Sequence, residues 1–315
     1  MPLTIRPLIT TLVLATLSAP AFAGETYPGT MPLSQVKAGM KGYGLTTFKG
    51  NTLTRFEVTV LGIVKQANNG RDLILIRMKG GPITERQANL IQGMSGSPIY
   101  INGKLIGGFS QGESFSKEPV GMATPIEDML EAWDSKIPQR PTYFTPAEIN
   151  PALLKKRAWL PDNRTHTVQL PTPIRVQNRW ITRLVLNAPL SRISRTDSGA
   201  AVLHRATTYL MATSMRQKER DWFQKELDSK GYAVTVLAGA GMGKSNSSEV
   251  PPLQPGSAFG TFFATGDLQV GATGTVTYRL GNRILGFGHP FFGLGAMEAS
   301  LTSASIVDIF SGYQV

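Results

Sequence analysis

A serine held between glycines is the first feature of this sequence that could do covalent chemistry. Ser95 lies in the stretch GMSGSP, residues 93–98. A serine hydroxyl attacks a carbonyl carbon efficiently only when a base takes its proton and backbone N–H groups stabilise the oxyanion that forms. Glycine bends the chain sharply enough to point nearby amides into one small pocket, and the amides of Gly93 and Ser95 are spaced for this. The stretch therefore predicts a nucleophile beside its own oxyanion hole, with a purely structural glycine turn as the alternative.

Other reaction chemistries find little support in the sequence. The chain has no cysteine, which excludes thiolate nucleophiles, disulfides and thiolate metal sites. Its three histidines show no zinc-site spacing, so we expect no metal and no other cofactor. The G-x-S-x-G elbow of α/β-hydrolases is not matched, because Ser97 stands at its fifth position. A phosphate-binding loop is not matched near Lys244 either, because Ala238 stands where its first glycine belongs.

Among the histidines, His289 has the local sequence best suited to a base. It follows a predicted strand within GFGHP, where glycine and proline form a rigid loop from which an imidazole can be aimed. His166 lies in a proline-rich connector and His204 in a helix-like stretch, so neither is a good rival. The alternative for His289 is a turn histidine that bonds a backbone carbonyl.

Short strands are the elements that must position these loops. Glycines and prolines separate short β-branched runs, which is typical of an all-β domain with many tight turns. Asn102-Gly103 predicts a type I′ hairpin turn, and Gly281-Asn282 a second strand-turn-strand unit. Strands are predicted at residues 56–64, 72–78, 97–100, 105–109, 180–186, 232–238, 274–280 and 283–287, and helices at 125–133 and 207–227.

The chain divides into a leader and four further segments. Arg6, the apolar run 8–17 and the small-x-small residues 21–23 predict a signal peptide over residues 1–23. An N-terminal β module with the serine loop follows at 24–137, then a proline-rich linker at 138–173, a mixed α/β segment at 174–250 and a C-terminal β module with the histidine loop at 251–315. The last module is too short for six ordinary strands, so either residues after Pro173 contribute strands or the chain is a fragment.

Charge and the leader together predict the surroundings of the mature protein. We expect export to the periplasm or the extracellular space, with no transmembrane segment in the mature chain. The formal net charge of +11 favours solubility and attraction to anionic envelope surfaces. No basic-aromatic motif indicates nucleic-acid binding, so we expect protein or peptide substrates in the cell envelope.

The serine segment resembles a known protease family. Its G-x-S-G-x-P pattern before a hairpin resembles the nucleophile loop of chymotrypsin-like proteases, and IQGMSGSPIYINGKLIGG, residues 91–108, is similar to the corresponding segment of the SpoIVB peptidases. The resemblance extends to Met31–Gly50 and Gly274–Gly293. It implies a mainly β, chymotrypsin-like two-β-barrel serine protease fold with an inserted α/β segment. It also implies a serine endopeptidase that cleaves an envelope or secreted protein through an acyl-enzyme on Ser95.

By the same resemblance, His289 is the general base, because the family's catalytic histidine also lies in a strand-Gly-His loop. Two departures are visible. Here the serine precedes the histidine, a permuted order that a triad defined by geometry allows. Gly80 stands at the family's aspartate position, 15 residues before the serine, so the orienting carboxylate is Asp72, Asp308 or Glu85, or is missing. A missing carboxylate would make the enzyme slow or inactive, and it supports the alternative of a non-catalytic envelope protein that binds peptides or partner proteins.

Overall fold

The computed structural model describes most of both predicted β modules. It covers residues 27–68, 70–85, 93–113, 119–134, 166–176, 179–186, 199–205, 208–229, 232, 234–239, 251–291 and 299–307. The predicted signal peptide, most of the predicted linker and Asp308 lie outside the described residues. Within the described ranges, no helix combines the length and apolarity that crossing a membrane requires.

A closed antiparallel barrel forms the first module. Six strands are paired in the order β4-β1-β2-β3-β6-β5, and β5 pairs back with β4 to complete the ring. The strands are β1 (Lys41–Lys49), β2 (Thr52–Asn68), β3 (Arg71–Lys79), β4 (Pro98–Ile101), β5 (Lys104–Glu113) and β6 (Val120–Pro125). Closure pairs the backbone groups that an open sheet would leave along its edges.

The barrel interior follows from the period of two along each strand. Phe56, Val58 and Val60 of β2 point inward and are almost fully buried, as are Ile74 and Ile76 of β3. The β4–β5 turn also follows the sequence: Asn102 has φ 51° and Gly103 has φ 74°, which confirms the predicted turn with two positive φ angles.

Two short helices flank the barrel strands. Helix α1 (Gly81–Glu85) follows β3 and precedes the serine loop, and α2 (Ile126–Asp134) follows β6 as predicted. Arg71 at the start of β3 pairs with two carboxylates of α2, Asp128 at 3.2 Å and Glu131 at 2.6 Å. These pairs connect α2 to the β2–β3 hairpin.

Three further strands extend the first sheet beyond the barrel. They are β7 (His166–Val176), β8 (Arg179–Leu186) and β9 (Ala200–Arg205), and β9 pairs with β5. β7 therefore begins inside the segment predicted as the linker. Leu73 and Leu75 of β3, which point away from the barrel interior, are buried against Ile181 and Leu184 of β8. This explains why β3 is apolar on both faces.

The second sheet carries the histidine loop. Its strand order is β11-β10-β13-β12-β15, with β14 paired to β13, and these described strands do not close into a second ring. The elements are β10 (Thr208–Ala212), α3 (Gln217–Ser229), β11 (Val234–Ala238), β12 (Ala258–Ala264), β13 (Val270–Leu280), β14 (Arg283–Gly286) and β15 (Ser300–Ser303). The predicted α/β segment 174–250 thus supplies two of these strands, β10 and β11.

One predicted helix is partly wrong. Helix was predicted over residues 207–227, but Thr208–Ala212 forms β10, and α3 begins only at Gln217. Leu210 and Ala212 are buried between β11 and β13, and this tertiary pairing overrides a helical spacing of apolar residues.

The mainly β, chymotrypsin-like fold predicted from the sequence is confirmed.

Candidate functional site

The serine loop, residues 93–97, needs glycine at two positions. Gly93 has φ 92° and Gly96 has φ 94°, both in the left-handed region. Gly96 is also closely covered, since a Cβ on it would lie 2.2 Å from the Thr275 oxygen and 2.4 Å from the Phe287 nitrogen. The G-x-S-G spacing therefore reflects both backbone conformation and tight packing against the second sheet.

The two serines of the loop have different surroundings. Ser97 is 0% exposed, and its hydroxyl donates a hydrogen bond to the Met94 carbonyl at 2.7 Å. Ser95 is partly buried, and its carbonyl accepts a hydrogen bond from the Thr275 amide at 2.9 Å. Among the described residues, the Ser95 hydroxyl has no hydrogen-bond partner. The Ser97 hydroxyl therefore stabilises the turn, whereas the Ser95 hydroxyl is not used by it.

Backbone amides of this loop are used unevenly. The Gly96 amide donates to the Phe109 carbonyl at 2.8 Å, and the Ser97 amide donates to the Met94 carbonyl at 2.8 Å. The amides of Gly93 and Ser95 donate to no described residue. These are the two amides that the sequence predicts for the oxyanion hole, and in the described structure they remain available for it.

The histidine loop, residues 286–290, turns through two left-handed residues. Phe287 has φ 62° and Gly288 has φ 67°. For an aromatic residue this conformation is strained by about 1–3 kcal/mol, and such strain is concentrated at functional sites. The loop is held by Thr124, whose hydroxyl donates to the Gly288 carbonyl at 2.6 Å. Gly288 itself lies so close to β5 that a Cβ would be 2.5 Å from the Phe109 oxygen.

A backbone carbonyl contacts the His289 ring. Nδ1 of the ring lies 3.2 Å from the Pro290 oxygen. A carbonyl oxygen only accepts, so in this hydrogen bond Nδ1 carries the proton and Nε2 holds the lone pair. A lone pair on Nε2 is what a general base in a serine peptidase uses, and the Nε2 atom of His289 is buried. The contact thus matches the turn-histidine alternative and is also compatible with a base.

The fold brings the two loops together at β5. The Phe109 carbonyl accepts the hydrogen bond from Gly96, one residue after Ser95. The same oxygen lies against Gly288, one residue before His289. Within the described residues no hydrogen bond joins the Ser95 hydroxyl to the His289 ring. The loops adjoin, and the pairing of hydroxyl and imidazole stays a prediction.

The predicted orienting carboxylates lie in separate places. Asp72 accepts hydrogen bonds from Lys65 Nζ at 2.6 Å and from the Gln66 amide at 3.1 Å on the β2–β3 hairpin. Desolvation acts to raise the Asp72 pKa, but these hydrogen bonds outweigh it and hold the pKa below its ordinary value. Glu85 is exposed at the end of α1, and Asp308 lies outside the described residues. Gly80, at the family's aspartate position, has φ 106°, a conformation that disfavours aspartate.

Sequence reasoning missed the residues that join the two modules. Thr275 and Thr277 of β13 are almost fully buried, and their hydroxyls donate to the carbonyls of Gly93 at 2.7 Å and Gly96 at 2.5 Å. Their signal was available: three threonines, at positions 273, 275 and 277, alternate along β13, the strand that pairs with β14 ahead of the histidine loop. Buried hydroxyls need partners, and here the partners are the carbonyls of the serine loop.

No metal-binding group is evident in the part of the chain that the structure describes. There, no three histidine or carboxylate side chains lie close enough together to hold a metal ion.

A closed antiparallel barrel with a G-x-S-G-x-P loop against a second β module is the architecture of a chymotrypsin-like serine peptidase. Residues 23–130 match the model of the SpoIVB peptidase S55 family, which confirms the family resemblance of the serine segment. The match covers about a third of the chain, including the whole barrel but not the histidine loop. Searches of curated proteins and of solved structures gave no match. At family level, this match supports a SpoIVB-like serine peptidase.

Proposed function

We propose that this chain is an exported serine endopeptidase that cleaves an envelope or secreted protein through an acyl-enzyme on Ser95. The observation that carries the proposal is the uneven use of the loop amides: those of Gly96 and Ser97 are bonded, and those of Gly93 and Ser95 donate to no described residue. The family match of the barrel supports peptidase chemistry, and the signal-like residues 1–23 support export.

The reaction follows from these groups. Ser95 Oγ attacks the carbonyl carbon of the scissile peptide bond while His289 Nε2 takes the hydroxyl proton. The tetrahedral oxyanion accepts hydrogen bonds from the amides of Gly93 and Ser95. The C–N bond breaks as the imidazolium returns the proton to the leaving amine, and a water molecule then releases the acyl group by the same steps.

The Pro290 carbonyl contributes to the orientation of the His289 ring. It favours the tautomer with the lone pair on Nε2, which is one of the tasks of the aspartate in a full triad. A neutral carbonyl stabilises the imidazolium less than a carboxylate does. Losing the aspartate's contribution costs up to about 10⁴ in turnover in a well-characterised triad. Without another carboxylate, such as Asp308, to supply that charge, we expect slow turnover.

A non-catalytic peptide-binding protein is the second candidate. Gly80 favours it, because the family's aspartate is replaced there by a residue whose φ of 106° an aspartate would not adopt without strain. Such a protein would keep the barrel and the junction of the two loops but would form no acyl-enzyme.

Labelling with a fluorophosphonate probe separates the two candidates. The mature chain should form one adduct, detected by intact mass, and Ser95→Ala should form none. His289→Ala should react about 10²–10⁴ times more slowly, which is the usual contribution of a general base. Ser229→Ala, which removes an exposed hydroxyl at the end of α3, is the matched control and should react as the wild type does. A folded wild-type protein without a Ser95-dependent adduct would favour the binding protein.

A further inference from the structure

An aromatic groove opens beside the histidine loop on the second sheet. Its volume is ≈ 300 Å³, which is within the range of small-molecule and side-chain pockets. Most of its lining is apolar, and none of the residues that line it carries a charge. The principal lining residues are Phe259, Thr261, Phe263, Phe287, Phe291 and Leu301.

Strand geometry places this lining on one face. Phe259, Thr261 and Phe263 alternate along β12 and therefore point to the same side of the sheet. Leu301 of β15 lies directly opposite Thr261 in the β12–β15 register. Leu301 is 53% exposed, an unusual position for a leucine on a strand that is the last in its sheet among the described strands.

The aromatic rings hold one another in position. The Phe287 ring packs edge-to-face on Phe259 at 4.9 Å and on Phe291 at 5.0 Å, and Phe291 reaches Phe263 at 5.1 Å. Gly286 makes room for this cluster, since a Cβ there would lie 2.5 Å from the Phe259 ring. The groove is therefore formed by packed rings before any ligand arrives.

We propose that this groove is the substrate side-chain pocket, and that it takes an aromatic or large aliphatic residue of the cleaved protein. This inference rests on the proposed function. The groove adjoins the serine and histidine loops, and this continuity identifies its occupant as part of the substrate. Phe287 belongs to both: its ring lines the groove, while its backbone lies against Gly96 and is followed two residues later by His289.

The chemistry of the lining sets the selectivity. A phenylalanine or leucine side chain loses apolar surface to water in this groove and gains ring contacts. A lysine or aspartate side chain would lose its hydration against uncharged walls with no counter-charge in the lining. An alanine side chain would leave most of the space unfilled.

Binding is tested first in the Ser95→Ala protein, where no reaction can occur. N-acetyl-L-phenylalaninamide should bind at least about tenfold more tightly than N-acetyl-L-alaninamide in an NMR titration, as expected for a large apolar group in a pocket. Leu301→Glu puts a charge into the lining and should abolish this preference. Leu280→Glu is the matched control, because Leu280 is a similarly exposed strand leucine at 45% outside the groove, and it should leave the preference unchanged.

Covalent labelling then connects the groove to the reaction. Peptidyl diphenylphosphonates that differ only in a phenylalanine or alanine side chain next to phosphorus should modify Ser95 with rates that differ at least about tenfold in favour of phenylalanine. Equal rates, or a phenylalaninamide preference that survives Leu301→Glu, would overturn the pocket. If neither phosphonate reacts but the amide preference depends on Leu301, the groove is supported as a peptide side-chain pocket and the proposed catalysis fails.

Discussion

At the level of single residues, the two serines of the serine loop differ in their hydrogen bonding. Ser97 is buried and bonded to Met94, whereas the Ser95 hydroxyl has no partner in the described part of the chain. The G-x-S-G-x-P pattern could suggest Ser95 and the Gly93 and Ser95 amides as site candidates, because glycine geometry is a local property of the chain, and their role stays a prediction. An orienting carboxylate for His289 could not be found in this way, since it depends on which distant residues the fold brings close.

The close packing of Gly96 gives a stability prediction. Gly96→Ala should lower the free energy of unfolding by more than about 3 kcal/mol, because its Cβ would collide with backbone atoms of the second sheet that cannot move away alone. Gly93 also has a positive φ, but the nearest atom to a Cβ placed on it is Thr273 Cγ2 at 3.9 Å, so Gly93→Ala causes no collision. It should cost about 1–2 kcal/mol from conformation alone. Urea denaturation of both variants decides the point, and equal losses would contradict the tight junction.

At the level of elements, the sequence predicted correctly those structures that depend on neighbouring residues and failed where distant strands decide. The β4–β5 hairpin was predictable because Asn102-Gly103 demands positive φ at both residues. Residues 208–212 were misassigned because their strand is stabilised by β11 and β13, partners that lie far along the chain. β8 was predicted as a strand at residues 180–186, but the extension of the barrel sheet by β7–β9 through β5 had no local signal.

Helix α2 carries a prediction about pH. Desolvation raises the pKa of Asp128, an effect that Arg71 offsets only in part. The folded state therefore binds this proton more tightly than the unfolded state, so the stability contributed by Asp128 is fully present below its ordinary pKa of about 4 and is lost as pH rises through the raised value.

Asp128→Asn should accordingly raise the melting temperature at pH 7, and the gain should vanish as pH falls below about 4. Asp267→Asn, at an exposed aspartate of the β12–β13 turn, is the control for the substitution itself. Melting curves across this pH range test the sign. A lower melting temperature for Asp128→Asn at pH 7 would show that the Arg71 pair outweighs desolvation.

At the level of the whole molecule, the serine loop and the histidine loop lie next to each other at Phe109, although the serine comes first along the chain. The β13–β14 hairpin of the second sheet packs against the barrel, and the hydroxyls of Thr275 and Thr277 bond it to carbonyls of the serine loop. The sequence predicted two β modules, but the hydroxyl hydrogen bonds between them could be identified only once the partner carbonyls were known.

These bonds predict a separation of stability from reactivity. Thr277→Val removes a buried hydrogen bond to the Gly96 carbonyl and should cost about 1–3 kcal/mol, with a slower reaction of Ser95 with fluorophosphonate. Thr47→Val is the matched control, because Thr47 is also buried and bonds across the modules, to the Gly256 carbonyl at 3.0 Å, but away from the serine loop. It should lose similar stability and keep the wild-type labelling rate. If the labelling rates of Thr277→Val and Thr47→Val fell equally, the serine loop would not depend on the Thr277 hydrogen bond in particular.

The most direct test of the account is a crystal structure of the phosphonate adduct. It should show phosphorus bonded to Ser95 Oγ, a phosphonyl oxygen about 2.7–3.1 Å from the amide nitrogens of Gly93 and Ser95, and the His289 ring beside the modified serine. An adduct on another residue, or one on Ser95 whose oxygen points away from both amides with His289 out of reach, would contradict it.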